Sequence, residues 1–73
     1  MNISAMSVTF DGESMWVELS DGRTLGVPLA LFPRLLNATP AQRGRVELHR
    51  AGLHWDEIDE DISVADLLSG EAT

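Results

Sequence analysis

The chain has 73 residues, no cysteine and no lysine, with twelve acids against five arginines and a formal net charge of −7. This length predicts one domain with a modest core and little room for a preorganised catalytic cleft. The missing cysteines exclude a disulfide framework and a thiolate metal site, and the acidity disfavours direct binding to nucleic acid or membrane.

Residues 4–10 alternate, which predicts a half-buried strand with Met6, Val8 and Phe10 inward. Asp11-Gly12 marks a tight turn. Residues 15–19 alternate again, with Met15, Val17 and Leu19 inward and Trp16 on the opposite face. Asp21-Gly22 is a second turn of hairpin type. Residues 24–27 give a third strand with Leu25 and Val27 inward, completing an antiparallel meander.

Pro28 ends that strand. Leu29, Phe32, Leu35 and Leu36 recur at helical spacing, but Pro33 fits only the first turn of a helix. The pattern predicts a helical turn near 29–32 and a short helix from Pro33. Thr39-Pro40-Ala41-Gln42 is a helix start with a Thr cap, Pro at the first position and Gln at the third. Gly44 stops it after about one turn. Residues 46–49 and 53–55 read as a second short hairpin, with Leu53 and Trp55 on one face.

The last third carries the charge. Acids and arginines balance over residues 1–54, so the whole −7 falls on residues 55–73. Asp56, Glu57, Asp59, Glu60 and Asp61 read as an acidic loop, interrupted by Ile58 and leading to Ile62. Ser63-Val64-Ala65-Asp66 reads as a capping box, with Ile62 and Leu67 at hydrophobic-staple spacing. Gly70 is expected to end this helix. The predicted fold is α+β: a three-stranded antiparallel meander plus a second short hairpin, with two or three short helices. The predicted core is Met6, Val8, Phe10, Val17, Leu19, Leu25, Val27, Phe32, Leu35, Leu48, Trp55, Ile58, Ile62 and Leu67.

Residues 28–35 (Pro-Leu-Ala-Leu-Phe-Pro-Arg-Leu), 38–43 (Ala-Thr-Pro-Ala-Gln-Arg) and 54–63 (His-Trp-Asp-Glu-Ile-Asp-Glu-Asp-Ile-Ser) resemble the bacterial family called domain of unknown function 2442. The turn Leu19-Ser20-Asp21-Gly22-Arg23-Thr24 fits it too. The resemblance implies a small α+β domain. It also implies that some members are encoded beside a second small protein, in an arrangement similar to toxin–antitoxin pairs. It carries over no catalytic residue.

Chemistry has little to stand on. His49, His54, Asp56, Asp59 and Asp61 offer metal-ligand atoms, but their spacing matches no compact ligand motif and lacks the glycine of a calcium loop. No nucleophile–base arrangement or phosphate loop is present, so neither an enzyme, a metal nor a cofactor is expected. The acids can instead serve as a surface. The leading expectation is a cytoplasmic, non-enzymatic module that binds a basic protein partner through Asp56, Glu57, Asp59, Glu60, Asp61 and Trp16, as an antitoxin or inhibitor does. Tryptophan away from its strand's core face suits an interface hot spot, though it could instead pack beneath the C-terminal helix. The alternative is a nucleic-acid mimic of the anti-CRISPR type, similar in size and charge alone, whose acidic face fills a basic groove. No signal peptide or membrane span is expected.

Overall fold

The computed structural model describes residues 3–71. Its elements run β1 (Ala5–Phe10), β2 (Ser14–Leu19), β3 (Thr24–Pro28), a 3-10 turn (Leu29–Leu31), α1 (Pro33–Leu36), α2 (Pro40–Arg43), β4 (Glu47–His49), β5 (Gly52–Trp55), β6 (Glu60–Ser63) and α3 (Val64–Glu71). β1-β2-β3 form one antiparallel sheet and β4-β5-β6 another. α3 packs against strands of both, and β1 lies beside β4.

The fold is therefore α+β: the first sheet is the predicted meander, and the second has three strands where a hairpin was expected. The extra strand is β6. Residues 60–63 pair with β5, Leu53 opposite Ile62 and His54 opposite Asp61. The acidic segment is thus a turn followed by a strand that leads straight into α3. At the start of α3, the Ser63 half of the expected capping box is formed, its Oγ accepting the Asp66 backbone N–H at 3.0 Å. The helix runs through Gly70 instead of stopping there.

Both sheets contribute to one core. Met15, Val17, Leu19, Leu25 and Val27 come from the first sheet, and Leu53, Trp55 and Ile62 from the second. Leu29, Leu35, Val64 and Leu67 join from the helical segments. Each large apolar side chain so buried contributes about 1.5–3 kcal/mol. Val8, Phe10, Phe32 and Ile58 pack against this core half-buried.

Two expected core residues are outside it. Met6 is exposed and Ala5 is buried in its stead. The β1–β2 register slips between Ala5 and Ser7, so two residues of β1 face one of β2. That bulge reverses the parity of the strand, which simple alternation cannot anticipate. Leu48 is exposed as well; it lies on β4, the edge strand of its sheet, opposite Leu53 of β5.

The helical connection is built as the proline and capping pattern predicts. Thr39 Oγ1 accepts from Gln42 N–H at 3.1 Å, and Gln42 Oε1 accepts from Thr39 N–H at 2.9 Å. Arg43 then reaches back, donating to the carbonyls of Leu35 and Leu36 at 2.8 Å each. Both carbonyls lie at the end of α1, where helix carbonyls run short of intrahelical donors; that of Leu35 also accepts the Ala38 N–H at 3.2 Å.

Candidate functional site

The acidic turn begins where β5 ends. Trp55 is buried, and its indole N–H donates to the Arg43 carbonyl at 3.0 Å. This bond ties the end of β5 to the helical segment. The chain then reverses through residues 56–59, closed by Asp59 N–H donating to the Asp56 carbonyl at 3.3 Å. Asp59 sits in the left-handed region at φ 53°, which Asp tolerates better than most side chains.

Two arginines brace this turn. Arg45 pairs with Glu57 at 2.8 Å. Arg34, from α1, donates to the Asp59 carbonyl and lies 3.8 Å from its carboxylate. Exposed ion pairs contribute only about 0–1 kcal/mol each, so their chief effect is to fix where the turn points. The side chains of Asp56 and Asp59 remain 89% and 93% exposed.

The next residues form a polar row across the outer face of the second sheet. Glu47, His54 and Asp61 stand side by side on β4, β5 and β6. His54 Nδ1 donates to Asp61 Oδ1 at 2.6 Å, and Nε2 lies 3.5 Å from Asp56 Oδ1. The hydrogen bond to Asp61 raises the His54 pKa above its ordinary value; partial desolvation opposes this, and Asp56 and Glu47 add to the rise. His49 shares the face, its ring centroid 6.2 Å from that of His54. The two are diagonal rather than directly opposite, because His49 pairs with Gly52. Among the described residues no group of three His or acidic side chains is placed to hold a metal ion.

Trp16 is on the other sheet. It projects from the outer face of β2, 42% exposed, so it does not pack beneath α3. Its indole lies over Gly26 of β3 and donates to Asp11 Oδ2 at 2.8 Å. Asp11 Oδ1 also accepts the backbone N–H groups of Glu13 and Ser14, at 2.9 and 2.8 Å. These bonds, the one from Trp16 first, hold the Asp11 carboxyl below its ordinary pKa.

Of the residues singled out from sequence, Asp56, Glu57, Asp59, Glu60 and Asp61 share one turn and the strand leaving it, while Trp16 stands on a different sheet. The sequence does not mark Arg34 and Arg45 as partners of the turn, and it offers His54 beside Asp56 and Asp61 only as a metal-ligand candidate, whereas in the fold His54 is their hydrogen-bonding partner. The period-two pattern that places Leu53 and Trp55 inward also turns His54 outward, and that was the available signal. Sequence reading missed an apolar cleft of about 280 Å³ between β3, the Leu31–Phe32 segment and α3. Among the described residues no polar or charged side chain is buried. The carboxylates of Asp56 and Asp59 are thus presented to solvent, and the cleft beside β3 presents an apolar surface.

The chain matches the model of the family described as "Protein of unknown function (DUF2442)" over residues 5–73. It is similar to a crystal structure of a protein of unknown function from Rhodospirillum rubrum, with 30% identity and a TM-score of 0.80 over 96% of this chain and 89% of that one. It is also similar in fold to the solution NMR structure of an uncharacterised protein from Chromobacterium violaceum, with 23% identity and a TM-score of 0.78 over 96% of this chain and 68% of that one. No curated protein matches it. With nearly its whole length covered, and with the turn, caps and paired sheets described above, this chain belongs to the DUF2442 family.

Proposed function

We propose that this chain is a non-enzymatic binding module that neutralises or inhibits a basic protein partner, as an antitoxin or a protein inhibitor does. The observation that carries the reading is the exposure of Asp56 and Asp59 on a turn anchored by Trp55, Arg34 and Arg45. Exposed carboxylates on an anchored turn present a fixed negative field with little ordering left to do on binding. Such a field speeds encounter with a basic surface and selects against acidic ones. The reading carries with it a cytoplasmic setting, no cofactor, and no direct contact with nucleic acid or membrane.

A nucleic-acid mimic is the second reading, and the same acids support it. It is the weaker of the two, because it needs the whole acidic face, and Glu57 and Asp61 of that face already pair with Arg45 and His54 of their own chain. A mimic needs those charges free for its target's groove.

The test is reconstitution. A protein captured from the native host is purified, and its activity is measured while this chain is added. Activity should fall to a stoichiometric end point, and Asp56→Arg should shift that end point or weaken the inhibition. Unchanged partner activity at saturation would refute neutralisation. A partner whose nucleic-acid binding is lost in competition would favour mimicry.

A further inference from the structure

β3 pairs with β2 on one side only and ends its sheet. Two hydrogen bonds bracket it in a single register: Leu19 N–H to Arg23 O at 2.8 Å and Leu29 N–H to Glu13 O at 2.9 Å. Between them Val17 opposes Leu25 and Met15 opposes Val27. Hydrogen-bonded pairs alternate with non-bonded pairs along an antiparallel ladder. Leu25 and Val27 therefore direct their N–H and C=O groups to β2, and Thr24 and Gly26 direct theirs to the open edge. Among the described residues neither backbone group of Gly26 has a partner in a turn, a loop or a side chain.

The apolar cleft opens along this same edge. Leu25, Val27, Leu31, Phe32, Asp66 and Leu67 line it, together with the backbone at Gly26. Leu31 is 67% exposed, more than any other large apolar side chain among the described residues. At about 280 Å³ the cleft lies just below the range of small-molecule sites and suits a large side chain. Asp66 supplies a carboxylate with no ion pair among the described residues. Open edges are commonly blunted by lysine or proline; Pro28 stands at the end of this one, and no lysine guards it.

We propose that the β3 edge and this cleft together dock an extended segment of the partner, which adds to the sheet as a further strand. One apolar side chain of the segment enters the cleft, and an arginine or lysine meets Asp66. Main-chain bonds to Gly26 supply affinity and the alternate side chains supply specificity, as in other strand additions. The proposal rests on the reading of this chain as a binder of basic proteins and names the surface used. Charge decides the occupant: two copies, each at −7, repel one another, whereas a basic segment is attracted.

The experiment is selection of random peptides displayed on phage by the wild-type protein, followed by titration of the selected peptides. Selected peptides should alternate apolar residues with arginine or lysine. Leu31→Asp and Asp66→Asn, both at exposed positions, should each weaken binding by about tenfold or more. N-methylation of the peptide should abolish binding at alternate nitrogens and spare it at the others. Peptides bound equally well by both variants overturn the proposal, as does a selection that enriches nothing. Peptides lost only on Asp56→Arg would overturn it while leaving the acidic turn as a binding surface. A dimer of this chain in sedimentation, broken by Leu31→Asp, would assign the edge to a second copy and overturn it too.

Discussion

The indole of Trp16 fills the space that a side chain at Gly26 would need. The two residues are directly opposed on β2 and β3, and a Cβ at position 26 would lie 2.6 Å from Trp16 Cζ3. Gly26→Ala must therefore push the ring outward and stretch its bond to Asp11. Because the ring is half free to move, and alanine in a strand regains about 0.5–1 kcal/mol over glycine, the net stability change should stay within about 1 kcal/mol. The local signature should be clear: the Trp16 indole N–H resonance shifts, and the Asp11 carboxyl rises toward its ordinary pKa. An unchanged indole resonance would contradict the packing.

Gly52 has no such latitude. A Cβ there would stand 2.7 Å from the Ile62 carbonyl oxygen, a backbone atom of β6. Gly52→Ala must displace one strand from the other, a cost of about 1–3 kcal/mol for an overpacked site. Denaturant melts should show that loss, and a variant as stable as wild type would mean that β6 is not held where described.

Trp55→Phe keeps most of the buried ring but deletes the N–H donated to the Arg43 carbonyl. An acceptor left unsatisfied in a part-buried place costs about 1–3 kcal/mol. The same melts measure it. Amide exchange of the turn at residues 56–59 should quicken as well, since this bond anchors the start of that turn.

His54 gives the protein a pH signature. Its folded pKa is raised above the ordinary 6.5, first by Asp61. A raised folded value means that the stabilising pair is fully present below the unfolded pKa and is lost as pH rises through the folded one. Thermal stability should fall over that window, and His54→Gln should flatten the curve there. A wild-type curve flat across the window, or an unaltered slope in the variant, would contradict the pairing. Asp11 works in the opposite sense: its depressed pKa yields stability that is lost as pH falls below 3.8 and through its folded value.

Much of this fold was legible where local chemistry decides it. The Thr39–Gln42 capping box, the Pro33 helix start, the inward set of β2 and β3 and the Leu53–Trp55 face all follow from capping and period-two patterns. What escaped depends on partners distant in sequence. β6 has a single buried residue, Ile62, amid acids, so its alternation is too short to read; it is a strand because β5 lies beside it. The bulge at Met6 is likewise set by pairing with β2. At the site, composition located the acids but not the arginines that brace them, and the cleft beside β3 arises where three separate segments meet.

The central claim is that the anchored acidic turn recognises a basic protein. The most direct measurement is affinity capture from the native host with wild-type protein beside a variant carrying Asp56→Arg and Asp59→Gly. Glycine suits the left-handed conformation at position 59, so that change deletes charge while keeping the turn. A basic protein should be retained by wild type, released as salt rises and not retained by the variant. Equal retention by both proteins, or retention of an acidic partner indifferent to salt, would contradict the claim.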